Sequence, residues 1–530
     1  MALQDAQVTV VVIGYDDAAH VADAVRSALA QGPAVREVIA VDDCSTDGSG
    51  ELLEGLAAEE PRLKVIRRPT NSGGCGTPRN DGLNAATSPY VMFLDSDDVL
   101  PLGAVDALLG AAVRHDTPVA SGLALRKELP SGRETPWQPE LYTRRTLVAH
   151  PARRVRLVRD TLCVNKLYST AFLREHRISF PEGAFPYEDF VFGARVLAAG
   201  PRIAIVPEPV YLWHVRRSAA RLSISLDRSD TANWQARIDA DRLSYDILLS
   251  AGEKRLARAT RARFLDHSLR MYARELHLRG ADYRREWWTL TRAYLASFDE
   301  SDLTAATTPG RIVARVVLAA EEPRDLDRLK EVAARPARLN PPYAHADDGS
   351  PVWSADLPQA ELDHLLVRPV HRLPAAVDAE LRPRVRGTVL RLRLHELYGR
   401  MAEGGPQTVE AEFAEREDGR VGFTATAPLT AHPESGTWSA EFPLDLAALG
   451  SGTWDLRLRL RFRDGTDRHT TAHALAGAGL LRRSALPSLR HGVLLAQPYA
   501  THSGALAVRL APGLSGLTEV IRRRLKRLFR

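Results

Sequence analysis

The first 120 residues of the chain alternate between short apolar runs and segments with helical spacing. The apolar runs are rich in β-branched residues, which is typical of buried strands. Between them, apolar residues recur at intervals of about three to four positions, as on one face of a helix. Strands that alternate with helices predict a parallel α/β sheet. The predicted strands are Val8–Ile13, Glu37–Val41, Leu63–Arg67 and Tyr90–Leu94, and the predicted helices span residues 18–30, 49–56 and 77–86.

Polar clusters follow three of these strands: Tyr15 with Asp16, Asp42 with Asp43, and Asp95–Asp98. In parallel α/β sheets, ligands bind beyond the carboxyl ends of the strands, so these clusters are candidate binding residues. An Asp-x-Asp triplet at a strand end can present two carboxylates to one divalent cation, and Mg²⁺ or Mn²⁺ often shares such ligands with substrate phosphates. The same triplet is also typical of turns and helix caps.

The composition indicates a globular protein of several domains, with 530 residues, 45% apolar and 26% charged. No apolar run is long enough to span a bilayer, and the N-terminus lacks the basic and apolar regions of a secretory signal. Three scattered cysteines argue against a disulfide framework or a zinc knuckle, so a cytoplasmic location is expected. A net charge of +5 is modest for this length and does not indicate a nucleic-acid partner.

The pattern changes after residue 225. Helical spacing continues to about residue 335, and Pro336–Pro358 has the Pro, Asp and Gly content of a linker. Two period-two runs, Val389–Leu394 and Leu456–Phe462, predict a small antiparallel β-sandwich. The arginines of the second run form either a solvated face or a polyanion-binding face. The predicted domains are 1–225, a helical connector 226–345, a β-rich domain 346–510 and a terminal segment 511–530.

The last residues, Leu517–Arg530, predict a basic amphipathic helix with leucine and isoleucine on one face and arginine on the rest. Such a helix can lie on an anionic membrane surface, which would place the protein peripherally at the inner face of the cell membrane. A frayed terminus and a helix docked on a partner chain are the alternatives.

Four motifs in a fixed order resemble those of the family 2 glycosyltransferases, which have the GT-A fold. They are Asp42–Asp47 after the second strand, Asn71–Asn80 after the third, Leu94–Asp98 after the fourth, and Tyr187–Phe190 at the start of an apolar helix. The resemblance covers about residues 7–225. It implies an α/β GT-A domain with a Rossmann-like mixed sheet, a UDP-sugar donor, and Mn²⁺ or Mg²⁺ as the cofactor.

The resemblance also assigns the donor site. Asp97 corresponds to the direct metal ligand, and Asp95 either joins it, contacts the ribose or acts through water. Asp43 matches the carboxylate that accepts the N–H of uracil, and Arg79 matches a basic position near the base and phosphates. A turn or cap at Asp43 and a structural ion pair at Arg79 are the alternatives. The predicted nucleotide-sugar-binding residues are Tyr15, Asp43, Arg79, Asp95, Ser96 and Arg216.

By the same resemblance, Asp189 is the general base, because an acceptor hydroxyl needs its proton accepted as it attacks. A single displacement of this kind inverts the anomeric centre. Glu188 orients either the acceptor or the base. A capping pair is the alternative for these two residues, since a helix dipole favours carboxylates at the N-terminus. Asp98 is interpreted as a helix cap rather than a ligand.

The segment Tyr211–Arg217 resembles the aromatic and basic segment that precedes a flexible loop in this family. His214 is a candidate metal or phosphate contact, and Arg216 or Arg217 is a candidate phosphate clamp. A structural histidine is the alternative. The predicted metal ligands are therefore Asp97, Asp95 and His214.

The order of catalytic domain, helical connector and β-rich domain is similar to that of the wall-teichoic-acid glycosyltransferases, some of which trimerise through C-terminal β domains. The resemblance implies inverting transfer of a sugar from a UDP-sugar to a hydroxyl of a teichoic-acid-like polymer, a polyol phosphate or a surface polysaccharide, by a homo-oligomer such as a trimer. One alternative is an enzyme for exopolysaccharide or lipid-linked glycans. Another is a non-catalytic glycan-binding or assembly protein with a degenerate GT-A domain.

Overall fold

The computed structural model describes residues 7–216, 227–384, 387–475, 480–488 and 491–513. It divides into two compact units. One comprises Met1–Phe264 with Asp299–Ala305, and the other comprises Leu265–Phe298 with Ala306–Arg530. The domain boundaries near residues 225, 345 and 510 stay predictions.

In the described part of the first unit, nine strands form one mixed sheet in the order β3-β2-β1-β4-β8-β5-β9-β7, with β6 paired to β5. Strands β1 to β4 are mutually parallel, whereas β8 runs antiparallel between β4 and β5. The bounds are β1 Val8–Gly14, β2 Val35–Asp42, β3 Leu63–Arg67, β4 Tyr90–Asp95, β5 Val119–Leu129, β6 Arg133–Trp137, β7 Thr146–Val148, β8 Lys166–Ser169 and β9 Ile203–Arg216.

The helices of this unit connect the strands and extend beyond the sheet. Their bounds are α1 Val21–Leu29, α2 Ser49–Glu59, α3 Gly76–Ala85, α4 Ala104–His115, α5 Thr170–Glu175, α6 Glu188–Ala198, α7 Ala232–Ser250 and α8 Lys254–Arg263. Each strand and helix predicted within the first 95 residues is present, and each strand end lies within two residues of its prediction. Six consecutive residues of β1, Val8–Ile13, are buried, as its β-branched sequence predicts.

Two glycines let α3 lie close to its neighbours. A Cβ on Gly82 would lie 2.2 Å from Cγ1 of Val11, and one on Gly76 would lie 1.9 Å from the carbonyl oxygen of Pro181. Real Cβ atoms do not approach so closely, so any other residue would push the helix outward. The position of Arg79, which lies between these glycines on α3, therefore depends on both.

An aromatic cluster fixes α6 against β4. Phe93 packs edge-on against Phe180 at 5.1 Å and against Phe192 at 5.9 Å, and Phe180 stacks on Phe192 at 3.9 Å. All three rings are fully buried. Each such ring contributes about 2 kcal/mol through burial, so the start of α6 is held firmly near the end of β4.

The second unit contains helices followed by antiparallel strands. Between its first two helices and the rest, the chain returns to the first unit for α11 Glu300–Ala305. The helices of the second unit are α9 Arg270–Ala273, α10 Ala281–Leu295, α12 Thr308–Ala319, α13 Leu326–Ala333, α14 Arg400–Gly404 and α15 Leu446–Leu449. Its strands are β10 Ala344–His345, β11 Pro351–Val352, β12 Val377–Arg382, β13 Thr388–His395, β14 Pro406–Glu415, β15 Val421–Pro428, β16 Thr430–His432, β17 Thr437–Leu444, β18 Gly452–Phe462, β19 Asp467–Thr470, β20 His473–Ala474, β21 Ser484–Ser488, β22 Gly492–Ala500 and β23 Leu506–Pro512.

Among the described residues, the larger strands of this unit form two sheets, ordered β16-β17-β13-β12-β20 and β15-β14-β18-β23-β22-β21, with β19 paired to β18. The pairings are antiparallel except between β12 and β20. Along β18, buried residues alternate with more exposed ones, as the period-two pattern predicts. The predicted fold class, an α/β GT-A-like sheet followed by helices and C-terminal antiparallel sheets, is confirmed.

The segment 336–358, predicted to be a linker, is packed instead. Trp353 is fully buried, and the guanidinium of Arg328 lies 3.9 Å from the centre of its indole ring. The indole nitrogen of Trp353 donates to Asp325 at 2.8 Å. This tertiary packing is not visible in the Pro- and Gly-rich composition, which alone indicates a flexible segment.

The arginines of β18 are paired with acidic residues. Arg457 pairs with Glu412 and Arg459 with Glu410 across the β14–β18 ladder, at 3.2 and 2.7 Å. Cross-strand pairs of opposite charge stabilise a sheet modestly. This pairing favours a solvated face over a polyanion-binding face.

No helix in the described ranges has the length and apolar character needed to cross a bilayer. The predicted amphipathic helix 517–530 lies outside the described residues.

Candidate active site

The site lies where the strand order reverses, because β1 is flanked by β2 on one side and β4 on the other. Gly14 is opposite Asp42 in the ladder with β2, and Ile13 is opposite Asp95 in the ladder with β4. Ligands of open α/β sheets bind in the crevice at such a position. The predicted acidic clusters therefore meet at one edge of the sheet.

Arg79 joins the third donor-site motif to the distant catalytic motif. Its side chain is only 3% exposed, and Nη2 donates to Asp95 Oδ1 at 2.6 Å. Nη1 donates to Glu188 and, at 3.1 Å, to Asp189 Oδ1. The structure thus brings together four of the predicted site residues, with three carboxylates around the buried guanidinium of Arg79. We call Arg79, Asp95, Glu188 and Asp189 the Arg79 cluster.

The two carboxylates at the start of α6 have different environments. Burial raises the pKa of Glu188 to about 7, with Arg79 opposing the rise and the charge of Asp189 adding to it. Asp189 is the more exposed of the two, at 19% against 11%. Its second oxygen, Oδ2, accepts a hydrogen bond from the backbone N–H of Cys163 at 3.3 Å. Both carboxylates are therefore oriented by the protein and face Arg79.

A strained residue precedes this pair. Tyr187, the N-cap of α6, has φ 65° and ψ 31°, in the left-handed region. That conformation costs about 1–2 kcal/mol in a residue other than glycine. Such strain often occurs beside functional groups, where the surrounding structure holds it in place.

Asp97 forms a second group with His214 and Arg216. Its carbonyl oxygen accepts from His214 Nδ1 at 3.1 Å and from Arg216 Nη1 at 2.9 Å, and its carboxylate lies 3.4 Å from the same guanidinium nitrogen. Partial burial, with the negative charges of Asp95 and Asp17, raises the pKa of Asp97 to about 6. Burial lowers the pKa of His214, which favours its neutral form.

Asp98 anchors β9 and does not cap a helix. Its buried carboxylate accepts from the hydroxyl of Tyr211 at 2.6 Å and from the backbone N–H of His214 at 2.7 Å. Burial raises the pKa of Asp98 well above its usual range. The hydroxyl of Tyr211 also accepts from the backbone N–H of Asp95 at 3.3 Å. Asp98 and Tyr211 thus hold the strand that carries His214 against the acidic turn.

Asp43 is buried beneath a loop and is bonded to it. Its carboxylate accepts from the hydroxyl of Ser72 at 2.7 Å and pairs with Arg68 Nε at 2.8 Å. The side chain of Asn71 donates to its carbonyl oxygen at 2.9 Å. Sequence reasoning missed Arg68, although its position just after β3 places it at the same edge of the sheet as the other clusters.

The remaining predicted donor residues lie at the end of β1 and β4. Ser96 donates its hydroxyl to Asp17 at 2.7 Å, so it orients a neighbouring carboxylate. Tyr15 follows β1 directly and is 37% exposed. Asp17 was not among the predicted site residues, and only its position after β1 could have indicated it.

The predicted metal ligands do not form a complete site by themselves. Within the described residues, no three His, Cys, Asp or Glu side chains are grouped so that they could hold a metal ion. Burial, and after it repulsion from the carboxylates of Asp95 and Asp17, raises the pKa of Asp97, and a divalent cation would relieve that repulsion. Two carboxylates with diphosphate oxygens and water are a usual shell for Mg²⁺ or Mn²⁺, so Asp95 and Asp97 fit such an ion.

Comparison with known proteins identifies the family of the N-terminal domain. Residues 9–174 match the model for glycosyl transferase family 2. The chain contains a glycosyltransferase family 2 domain. The matched stretch includes Asp43, Arg79 and Asp95–Asp98 and ends before Glu188.

Two curated relatives match the family 2 domain. The poly(ribitol-phosphate) β-N-acetylglucosaminyltransferase TarS of Staphylococcus aureus is 31% identical over 191 residues, which are 35% of this chain and 31% of TarS. The succinoglycan biosynthesis protein ExoO of Rhizobium meliloti is 30% identical over 234 residues, which are 42% of this chain and 65% of ExoO. The matches thus span about a third of TarS and just under two thirds of ExoO.

The similarity of fold extends past the family 2 domain. The crystal structure of S. aureus TarS matches 96% of this chain and 86% of its own with a TM-score of 0.54 at 19% identity. A structure of TarS residues 1–349 in complex with UDP-GlcNAc matches 65% of this chain and 96% of its own with a TM-score of 0.50 at 22% identity. At these identities the likeness describes the fold.

Proposed function

We propose that this chain is an inverting, metal-dependent glycosyltransferase that moves a sugar from a UDP-sugar to a hydroxyl of a polyol-phosphate polymer or surface polysaccharide. The observation that carries the proposal is the Arg79 cluster. In it, one buried guanidinium joins Asp95, at the predicted diphosphate site, to Asp189, the predicted base. For a single displacement to occur, the groups that bind the donor diphosphate and the base that activates the acceptor must lie on either side of one reacting centre.

The donor side is supported by the buried network around Asp43. Arg68 and Ser72 hold the carboxylate of Asp43 in one orientation. A carboxylate held in this way at a strand end can accept the imide N–H of uracil, which favours a uridine nucleotide. The complex of TarS with UDP-GlcNAc makes UDP-GlcNAc the first donor to test.

Asp97 and Asp95 are the residues that would hold Mn²⁺ or Mg²⁺. When bound, the ion neutralises charge that develops on the leaving diphosphate. Arg216 lies beside Asp97 and can contact a phosphate oxygen, since Arg is suited to paired contacts with phosphate. Because Nδ1 donates to the carbonyl oxygen of Asp97, neutral His214 has an unprotonated Nε2, which suits a metal contact.

On the acceptor side, Asp189 takes the proton of the attacking hydroxyl. Its Oδ1 contacts Arg79 and its Oδ2 contacts the Cys163 amide, so it is held in place without being fully buried. Glu188, with a pKa near 7, carries a proton for part of the time at neutral pH and can donate it to orient an acceptor oxygen. Attack on the side of the anomeric carbon opposite the diphosphate inverts its configuration.

The acceptor class rests on charge and on the relatives. A basic segment of the first unit, residues 144–159, carries six arginines: Arg144, Arg145, Arg153, Arg154, Arg156 and Arg159. The surface around it has Glu140 and Glu208 as acidic partners. A polyanion such as a polyol phosphate would be attracted to it. The similarity to TarS, a poly(ribitol-phosphate) β-N-acetylglucosaminyltransferase, supports this class, whereas that to ExoO, a succinoglycan biosynthesis protein, supports a polysaccharide acceptor.

The decisive experiment measures UDP release from UDP-GlcNAc and UDP-glucose with and without poly(ribitol phosphate), in Mn²⁺ and in EDTA. We expect turnover that requires the metal and falls at least 100-fold in Asp97→Asn and in Asp189→Asn. Turnover near wild type in either variant would overturn that residue's role. No turnover of any UDP-sugar by the wild type would favour the alternative of a non-catalytic glycan-binding protein. Oligomerisation and membrane contact through residues 517–530 stay predictions.

A further inference from the structure

The left-handed turn at Tyr187 needs a partner that holds it. Its φ of 65° is unfavourable for a tyrosine, yet the two residues that follow are Glu188 and Asp189. If this turn relaxed, the first turn of α6 would rotate, and both carboxylates would move relative to Arg79. The groups that pack on Tyr187 therefore bear on the geometry of the Arg79 cluster.

Helix α7 supplies those groups. The guanidinium of Arg237 lies 4.1 Å from the centre of the Tyr187 ring, and Arg237 is buried. The hydroxyl of Tyr187 donates to Asn233 Oδ1 at 2.6 Å. A buried cation above an aromatic face gains more than an exposed one, because water does not compete for the charge. The ring is thus held both on its face and at its hydroxyl end.

Helix α8 holds the next turn. The guanidinium of Arg263 lies 4.3 Å from the centre of the Phe190 ring, and that of Arg237 lies 5.5 Å from it. Arg263 is itself fixed by Asp241 of α7 at 2.6 Å. Two arginines from two helices therefore clamp the aromatic residues on either side of Glu188 and Asp189.

We propose that Arg237 and Tyr187 are positioning residues for the catalytic carboxylates, so that α7 and α8 are part of the catalytic apparatus. The inference rests on the proposed function and adds to it a role for two helices. Both lie outside residues 9–174, the stretch that matches the family model. Neither residue acts on substrate. Their stack keeps the backbone of Tyr187 in the left-handed region and holds Asp189 Oδ1 at 3.1 Å from Arg79 Nη1. A displacement of about 1 Å at a reacting group can cost about 100-fold in rate.

A matched pair of variants separates positioning from general stability. Arg237→Met removes the stack on Tyr187. The control, Arg261→Met, removes a similar buried stack in the same two helices, on Tyr245 at 3.6 Å, together with the ion pair between Arg261 and Asp302. We expect both variants to lower the melting temperature. Only Arg237→Met should lower kcat, by about 10- to 100-fold, with KM for UDP-GlcNAc within about twofold of wild type.

Two conservative variants refine the test. Arg237→Lys keeps a cation over the ring and should recover part of the lost kcat. Tyr187→Phe keeps the stack but loses the bond to Asn233, so it should lose less activity than Tyr187→Ala. Equal kcat losses in Arg237→Met and Arg261→Met would overturn the proposal, since a purely structural role predicts that result.

A crystal structure of Arg237→Met provides a readout that does not need activity. We expect Tyr187 to leave the left-handed region and the Arg79–Asp189 distance to increase beyond 3.1 Å. An unchanged Arg79 cluster would overturn the positioning role even if the wild type is active. If the cluster moves but the wild type turns over no UDP-sugar, the proposed function fails while the positioning role stands.

Discussion

Arg79 Nη2 donates to Asp95 Oδ1 at 2.6 Å, although the two residues lie on different elements, α3 and β4. The other terminal nitrogen of the same guanidinium reaches Glu188 and Asp189, 109 and 110 residues further along the chain. A planar guanidinium can serve both sides at once, whereas a single ammonium cannot. The donor edge and the catalytic edge of the site are therefore linked by one side chain.

Any replacement of Arg79 should disable the site, but the fold should stay stable only if the new side chain is positively charged. We expect Arg79→Lys to lower kcat/KM by at least 100-fold, because a lysine cannot bridge Asp95 and Asp189. We expect Arg79→Met to lower the free energy of unfolding by about 3–5 kcal/mol, because three carboxylates lose their buried counterion. Steady-state kinetics and urea denaturation measure the two effects. A fully active Arg79→Lys would show that the bridge is not needed.

The raised pKa of Glu188 gives stability a definite pH dependence. Its carboxyl titrates at about 7 in the folded chain against an ordinary value of 4.5, so the folded state holds the extra proton between these pH values. The contribution of Glu188 to the free energy of unfolding therefore falls as pH rises from about 4.5 to 7, by up to ~1.4 kcal/mol per pH unit. Glu188→Gln should remove this slope. Parallel stability curves for wild type and Glu188→Gln over that range would contradict the assignment.

The Tyr211–Asp98 contact should matter for donor binding as well as for stability. In Tyr211→Phe, the buried carboxylate of Asp98 loses a donor, which costs about 1–3 kcal/mol, and β9 is held less firmly against the acidic turn. We expect KM for UDP-GlcNAc to rise several-fold. The control is Tyr398→Phe, which loses hydrogen bonds to Ala344 and Val352 in the second unit. A rise in KM in both variants would indicate a general loss of stability.

The basic segment 144–159 should contribute to acceptor affinity alone. The double variant Arg144→Ala, Arg153→Ala removes two exposed arginines from it. We expect KM for poly(ribitol phosphate) to rise about fivefold or more at low salt and less at high salt, because screening weakens exposed charges. Hydrolysis of UDP-GlcNAc without acceptor should not change.

The control for that experiment is the double variant Arg391→Ala, Arg393→Ala on β13, which removes the same charge from an exposed face of the second unit. It should leave the acceptor KM unchanged. Equal effects of the two double variants would mean that net charge, and not the basic segment, governs acceptor affinity.

The fold and the membership of the Arg79 cluster were predictable from the sequence for different reasons. Periodicity located β1 to β4 because strand burial is a local property of the chain. The motif order nominated Arg79, Asp95 and Asp189, since each follows a strand or opens a helix at one edge of the sheet. The bridge between them was not predictable, because a guanidinium's partners depend on how α3 packs against β1 and β4.

The missed features are contacts between distant parts of the chain. No local pattern pairs Asp98 with Tyr211, or Asp43 with Arg68, because such pairs form only after the strands have aligned. The linker interpretation of residues 336–358 was wrong for a related reason. Its composition is that of a flexible segment, but the burial of Trp353 under Arg328 is a tertiary effect.

The distance along the chain between Asp98 and its partner also has a consequence for biosynthesis. A ribosome must add 113 residues after Asp98 before Tyr211 exists, which takes roughly 6 to 23 seconds at about 5–20 residues per second. During that interval the nascent chain already contains the Asp95–Asp98 turn but has nothing to tie it to β9. A truncated product that ends shortly before Tyr211 would therefore carry all four sequence motifs and yet have no assembled donor site.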